Sequence, residues 1–158
     1  MRVLKYSDKK NISKEIKGKR VVLVGGCFDI LHFGHIKFLE GSKKQGNCLV
    51  VALESDEFIR SRKNKKPFHN IKERAEILLS IKYVDLVIKL PFFESSDRYC
   101  ELVDFIKPKV IAVSNKDKHC KIKRKLAKNV GGKVKIVSKI FKEFSSTSVI
   151  KYETILSN

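Results

Sequence analysis

Apolar residues in this chain fall into short unbroken runs separated by amphipathic stretches. "RVVLVGG" (20–26), "NCLVVALES" (47–55), "VDLVIKL" (84–90), "PKVIAVS" (108–114) and "KVKIVSKI" (133–140) read as strands buried on both faces. Between them the period changes to that of helices. Residues 32–46 carry Ile36, Phe38 and Leu39 and stop at Gly46. Residues 70–82 open on Asn70 as a cap and set Ile71, Ala75, Leu78 and Leu79 in a stripe. Residues 95–107 start on serine and aspartate and stop before Pro108. Residues 116–132 form a basic helix with a Gly-Gly stop, and 145–156 a last helix with a Ser/Thr start. Residues 55–70 read as a charged connection closed by Pro67, with one helical turn near its start.

Strands alternating with helices in this way predict one α/β domain: a five-stranded parallel sheet, right-handed crossovers, helices on both faces. Residues 1–19 read as a peripheral arm with a short helix, and residues 20–158 as the domain proper.

Length adds that 158 residues suffice for one domain with a proper core. No apolar run is long enough to span a bilayer, and the first twenty residues lack the apolar core of a secretory signal. Cys27, Cys48, Cys100 and Cys120 form no C-x-x-C pair, so reduced thiols and a cytoplasmic location are expected.

Charge changes the picture less than its size suggests. Thirty-five basic against 17 acidic residues give a net charge of +18. Such a surplus steers anions toward the protein. A nucleic-acid binder should carry aromatics or arginines interleaved on one face; the lysines here are spread over many segments, so nucleic acid is not the expected partner. A non-catalytic nucleic-acid-binding protein of the same fold stays as the outside alternative.

The candidate chemistry lies in "VGGCFDILHFGHI" (24–36), at the end of the first strand of the domain. Open parallel sheets bind ligands at the carboxyl ends of strands, where the strand order reverses. Gly25 and Gly26 let backbone approach a phosphate, and the following helix start favours anions. His32 and His35 stand three apart at that start, so both can face one ligand. Two imidazoles beside a triphosphate can donate hydrogen bonds to charge building on phosphorus oxygens. The stretch is neither a dinucleotide fingerprint nor a P-loop. A zinc reading lacks a third ligand at convincing spacing.

"GGCFDILHFGH" resembles the G-x-F-D-x-x-H-x-G-H signature of the cytidylyltransferase-like nucleotidyltransferases, a superfamily with a Rossmann-like fold. The resemblance extends over residues 20–154. "SDEFIRSRKNKKPFHNIKERAEILLSIKYVD" is similar to the region where a basic loop precedes an arginine on the next helix, and "SSTSVI" (145–150) to the closing serine-threonine motif. The resemblance implies that His32, His35, Lys43 and Arg74 act at the reacting phosphate. It implies that Gly25, Gly26, Cys27, Phe28, Asp29 and Gly34 line the nucleotide, with Asp29 orienting the turn or helping to hold Mg²⁺. Ser146, Thr147 and Ser148 would cradle the outer phosphates. Lys63, Lys65, Lys66 and Asp117 would reach phosphates or acceptor.

The implied reaction is in-line attack of an acceptor phosphate on the α-phosphorus of a nucleoside triphosphate, with Mg²⁺ as helper and pyrophosphate leaving. Two segments depart from the family pattern. "VSNKDKH" (113–119) keeps Asp117 but has Lys116 in place of a glycine, and "FKEFSSTS" has no arginine before its serines. The second departure disfavours CTP. "NVGGKVKIV" looks like the heptose-type adenylyltransferases, and "KKPFHNIKERAEILLSIKYVD" equally like the glycerol-phosphate type. The expected reading is transfer from ATP to a phosphorylated sugar or polyol of the heptose 1-phosphate kind. The alternatives are a CTP-dependent glycerol-3-phosphate type and an FAD synthetase type. A homodimer is a candidate assembly, with "YVDLVIKLPFF" (83–93) as its face, although Val84, Leu86 and Ile88 suit a core better.

Overall fold

A computed structural model of the chain describes residues 2–115 and 117–138. The order along the chain is β1 (Arg2–Lys5), α1 (Lys9–Ile16), β2 (Val21–Gly26), α2 (Phe33–Lys43), β3 (Cys48–Leu53), α3 (Asp56–Lys63), α4 (Ile71–Leu79), β4 (Leu86–Lys89), α5 (Asp97–Ile106), β5 (Val110–Ser114), α6 (Cys120–Asn129) and β6 (Lys133–Ser138).

The sheet has six strands, not five, in the order β1-β4-β3-β2-β5-β6, and every pairing is parallel. The extra strand is β1, inside the stretch read as an arm. Its register against β4 runs Arg2 to Leu86 through Lys5 to Lys89. Four residues with charged ends carry too little apolar signal to declare a strand alone. An edge strand needs only one neighbour, and the exposed ends of β1 fit that position. Lys9–Ile16 is the short helix expected there.

The strand runs are apolar throughout because both faces are covered. In β2, Val21 and Leu23 enter one core, with Val50, Ile88 and Ile111; Val22 and Val24 enter the other, with Leu49, Val51 and Val87. The candidate dimer face is largely spent here, since Val84, Leu86, Ile88, Leu90 and Phe93 are buried in the fold.

The connection 55–70 holds more helix than one turn. Ser55 caps α3 by accepting the Phe58 N–H at 3.1 Å, Asp56 and Glu57 occupy its first turn, and Arg60, Arg62 and Lys63 its last. These charges match the helix dipole at both ends, which lets a polar segment hold two turns. Asn70 caps α4 as expected, in a reciprocal box with Glu73. Gly46 is required by space: a Cβ there would lie 2.3 Å from the Arg20 carbonyl oxygen. Among the described residues no helix is long and apolar enough to cross a membrane, and the four cysteines are free.

β2 lies between β3 and β5, so the chain builds outward on one side and then returns to the other. The reversal falls at the carboxyl end of β2, which leads into residues 27–35.

Candidate active site

The loop after β2 is tightly constrained. Phe28 has φ of +46°, in the left-handed region that side chains other than glycine seldom enter. Its buried ring lies over Gly26, where a Cβ would come within 2.9 Å of it. Such a conformation persists only where the surroundings impose it. Two of those surroundings are identifiable. The Asp29 carboxylate accepts from the N–H groups of Phe68 (2.9 Å) and His69 (3.1 Å), joining this loop to the one before α4. The Cys27 carbonyl accepts from the Arg74 guanidinium at 2.6 Å.

Arg74 is wholly buried. Besides Cys27, it donates to the His69 carbonyl at 3.1 Å and to the Asp56 carboxylate at 2.6 Å. One planar fork therefore ties the β2 loop, α3 and the start of α4 together. The resemblance places Arg74 at the reacting phosphate; in this structure all three of its donor nitrogens have partners inside the protein, an arrangement that positions the β2 loop.

The two histidines are brought together as expected. Their rings lie 3.9 Å apart between centroids, and Phe28 stands 5.3 Å from His35. His32 is the cap of α2, its carbonyl accepting from the His35 and Ile36 N–H groups. Nδ1 of both rings is buried without a hydrogen-bond partner among the described residues. Burial lowers the pKa of His32, and burial together with the neighbouring His32 pushes His35 down to about 4. Both are neutral near pH 7, each with one N–H to donate. An arriving polyphosphate supplies the opposite charge that raises both values again.

Lys65 stands 3.9 Å from Asp29, and Lys63 and Lys66 are exposed with it on the connecting segment, an arrangement of cations suited to phosphate. Asp117 accepts from the His119 N–H at 2.8 Å and pairs with Lys123 at 2.7 Å, just past β5. Gly34 lies in the first turn of α2. Ser146, Thr147 and Ser148 lie outside the described residues.

Lys43 does not join the site. It ends α2, ten residues from Phe33 at the helix start, and pairs with Asp85 at 2.5 Å while donating to the Asn47 carbonyl at 2.9 Å. The Asp85 carboxylate also accepts from the Leu49 N–H, so this contact closes the far end of β3. Lys43→Ala should keep the transfer rate within about twofold and cost about 1 kcal/mol in urea unfolding, the scale of a half-exposed pair.

Three site residues escaped the sequence reading. Asp56 holds Arg74. Glu54 follows β3, is buried, and donates its N–H to the Gly26 carbonyl at 3.1 Å. Tyr99 of α5 donates its hydroxyl to Glu54 at 2.9 Å. One signal was available: Glu54 is a carboxylate standing directly at the carboxyl end of an apolar strand run.

Burial raises the Glu54 pKa to about 7, while the Tyr99 hydrogen bond opposes the rise. The two buried groups give stability opposite pH slopes. His35 has a folded pKa below its unfolded value, so its contribution falls away as pH drops from about 6.5 to about 4, by up to about 3 kcal/mol. Glu54 has a folded pKa above its unfolded value, so its contribution is complete below about 4.5 and is lost as pH rises through about 7. Urea unfolding across pH 4 to 8 should show the acid-side loss reduced in His35→Asn and the alkaline-side loss reduced in Glu54→Gln.

A family model described as cytidylyltransferase-like matches residues 23–153 of the chain. The chain belongs to this cytidylyltransferase-like family. It is a nucleotidyltransferase. Among its relatives, the FAD synthase of Pyrococcus horikoshii is 41% identical over 119 residues, covering 73% of this chain and 77% of that protein. The bifunctional protein HldE of Pelobacter propionicus is 35% identical over 141 residues; the match covers 88% of this chain but 28% of HldE. A lipopolysaccharide core biosynthesis protein from Thermoplasma volcanium superposes with a TM-score of 0.63 at 32% identity, over 79% of this chain and 98% of that one. Pantothenate synthetase from Thermus thermophilus shares the fold, with a TM-score of 0.69 at 14% identity over 94% of this chain and 67% of that one. In this cytidylyltransferase-like chain, the histidine pair lies just past the carboxyl end of β2, where the strand order reverses.

Proposed function

We propose that the chain transfers an adenylyl group from ATP to the phosphate of a sugar or polyol phosphate, releasing pyrophosphate. The observation that carries this reading is the pair of neutral, closely apposed histidines at the start of α2. Neutral imidazoles do not trap the nucleotide as a salt pair in the ground state. They donate to the α-phosphoryl oxygens as charge grows there during in-line attack, which favours the transition state over bound substrate. Leaving pyrophosphate meets the cations around residues 63–66. No covalent intermediate with the protein is needed; positioning and charge supply the acceleration.

Mg²⁺ is proposed to travel with the triphosphate. The Asp29 carboxylate already accepts two backbone N–H groups, and no cluster of three or more metal-ligating side chains occurs among the described residues. The ion's chemistry is to neutralise the phosphate oxygens.

ATP is supported by the relatives named FAD synthase, since FAD itself contains an adenylyl group, and by the HldE match, given the resemblance of "NVGGKVKIV" to the heptose-type adenylyltransferases. The test is thermal shift of the purified protein with ATP, CTP, GTP and UTP, each with Mg²⁺, then pyrophosphate release with FMN, glycerol 3-phosphate and heptose 1-phosphate. ATP alone should raise the melting temperature by linkage and support turnover. A shift with CTP alone, or none at all, overturns the reading.

A further inference from the structure

We propose that Glu54, held by Tyr99, recognises a hydroxyl group on the neutral part of the acceptor and so determines which phosphate ester is used. This rests on the reading of the chain as a transferase to a phosphorylated acceptor.

Glu54 lies at the carboxyl end of β3, and its N–H is tied to the Gly26 carbonyl, one residue before the loop 27–32 that leads into α2. It is one strand over from the histidines, on the side of β2 away from β5. The residue is more than nine-tenths buried. Its two oxygens differ. Oε1 accepts from the Tyr99 hydroxyl at 2.9 Å. Oε2 is buried with no hydrogen-bond partner among the described residues. An acceptor atom removed from water and left unpaired costs free energy, of the order that a hydrogen bond from a ligand would recover.

The tyrosine is itself fixed, its ring edge-on to Phe93 at 5.0 Å, and Phe93 edge-on to Tyr6 at 5.3 Å. The carboxyl therefore stands on a rigid support. The histidines, Lys63 and Lys65 account for the reaction without it, so the mechanism leaves Glu54 unused.

Its chemistry selects the ligand class. A carboxyl group is a poor neighbour for phosphate. The fields of Lys63, Arg74 and Lys123 reach Glu54, yet none of these cations forms a hydrogen bond or ion pair with it. What Oε2 suits is a neutral donor. An acceptor whose phosphate lies toward the lysines and whose hydroxyls extend toward β3 supplies one. Burial raises the carboxyl's pKa, and Tyr99 keeps Oε1 in place in either protonation state. A site built to pair a substrate hydroxyl rejects analogues lacking it far more strongly than a merely apolar site rejects an extra group.

The experiment uses the whole chain with α,β-methylene-ATP and Mg²⁺, titrated calorimetrically with FMN, glycerol 3-phosphate, glucose 1-phosphate and, as control, inorganic phosphate. Wild type should bind at least one of the three esters at least tenfold tighter than inorganic phosphate. Glu54→Gln keeps volume and a partner for Tyr99 but replaces the second acceptor oxygen by a donor. It should lose that preference tenfold or more while its affinity for the ATP analogue stays within twofold. Where Glu54→Gln does not melt cooperatively, Tyr99→Phe replaces it and should lower the same ratio threefold or more. An undiminished preference, an equal loss for the ATP analogue, or a wild type that prefers none of the esters overturns the proposal. Pyrophosphate release by wild type is scored separately. Turnover with the preference intact in Glu54→Gln sinks this inference alone. A Glu54-dependent preference without turnover sinks the reading of the reaction alone.

Discussion

Alanine at position 35 is expected to lower kcat for pyrophosphate release by about 10²–10³-fold, the cost of removing one donor to developing oxyanion charge. Nucleotide affinity should change far less. The reason is the state of the ring before substrate arrives. Burial and the neighbouring His32 hold His35 neutral, with a pKa near 4. A neutral donor contributes little to binding a well-solvated polyphosphate and most where charge is newly formed. The fold should survive, because the imidazole is only partly buried and its Nδ1 has no described partner to be left behind. Stopped assays with ATP and the best acceptor, beside a thermal melt, check both halves. A kcat within threefold of wild type would remove this histidine from the chemistry. Combining His32→Ala with His35→Ala should cost less than the sum of the single losses, since two rings 3.9 Å apart act on one group.

Arg74→Met should destabilise the protein by about 3–5 kcal/mol, because it strands the partners of a buried, hydrogen-bonded charge. For a domain of this length that corresponds to a fall of roughly 10 °C or more in Tm. Asp56 would lose its 2.6 Å partner, and the carbonyls of Cys27 and His69 their donors. Activity should fall as well, through loosening of the strained Phe28 turn rather than through a lost phosphate contact. The two origins separate cleanly. An arginine that reached phosphate from an exposed helix face would leave Tm unchanged and raise KM for the nucleotide. Arg74→Lys should be intermediate in Tm, since one ammonium cannot serve three acceptors set for a planar fork. A variant as stable as wild type would return Arg74 to the phosphate.

These results concern two kinds of site residue that look alike on paper. Both His35 and Arg74 stand near the start of a helix, in an order that resembles the family. The histidines are three apart on one segment, so local geometry alone puts them on one ligand. The roles of Arg74 and Lys43 rest on the resemblance alone, on helices whose other ends and faces the sequence does not orient. In the fold, α4 turns Arg74 inward to Cys27 and Asp56, and the length of α2 carries Lys43 to Asp85.

What the sequence by itself determined is the part written in local, periodic signals. Apolar runs marked β2 through β6, Asn70 marked the start of α4, and the glycines with the two histidines marked the turn from β2 into α2. Such signals survive because each depends on neighbours a few residues away. The tertiary structure decided the rest. β1 became the sixth strand only because β4 offers it an edge. Arg74 became a strut, and Glu54 and Tyr99, 45 residues apart, became partners at the carboxyl end of β3. Hydrogen bonds and burial across such separations are set by which strands adjoin and which helix face packs inward, and no spacing along the chain encodes them.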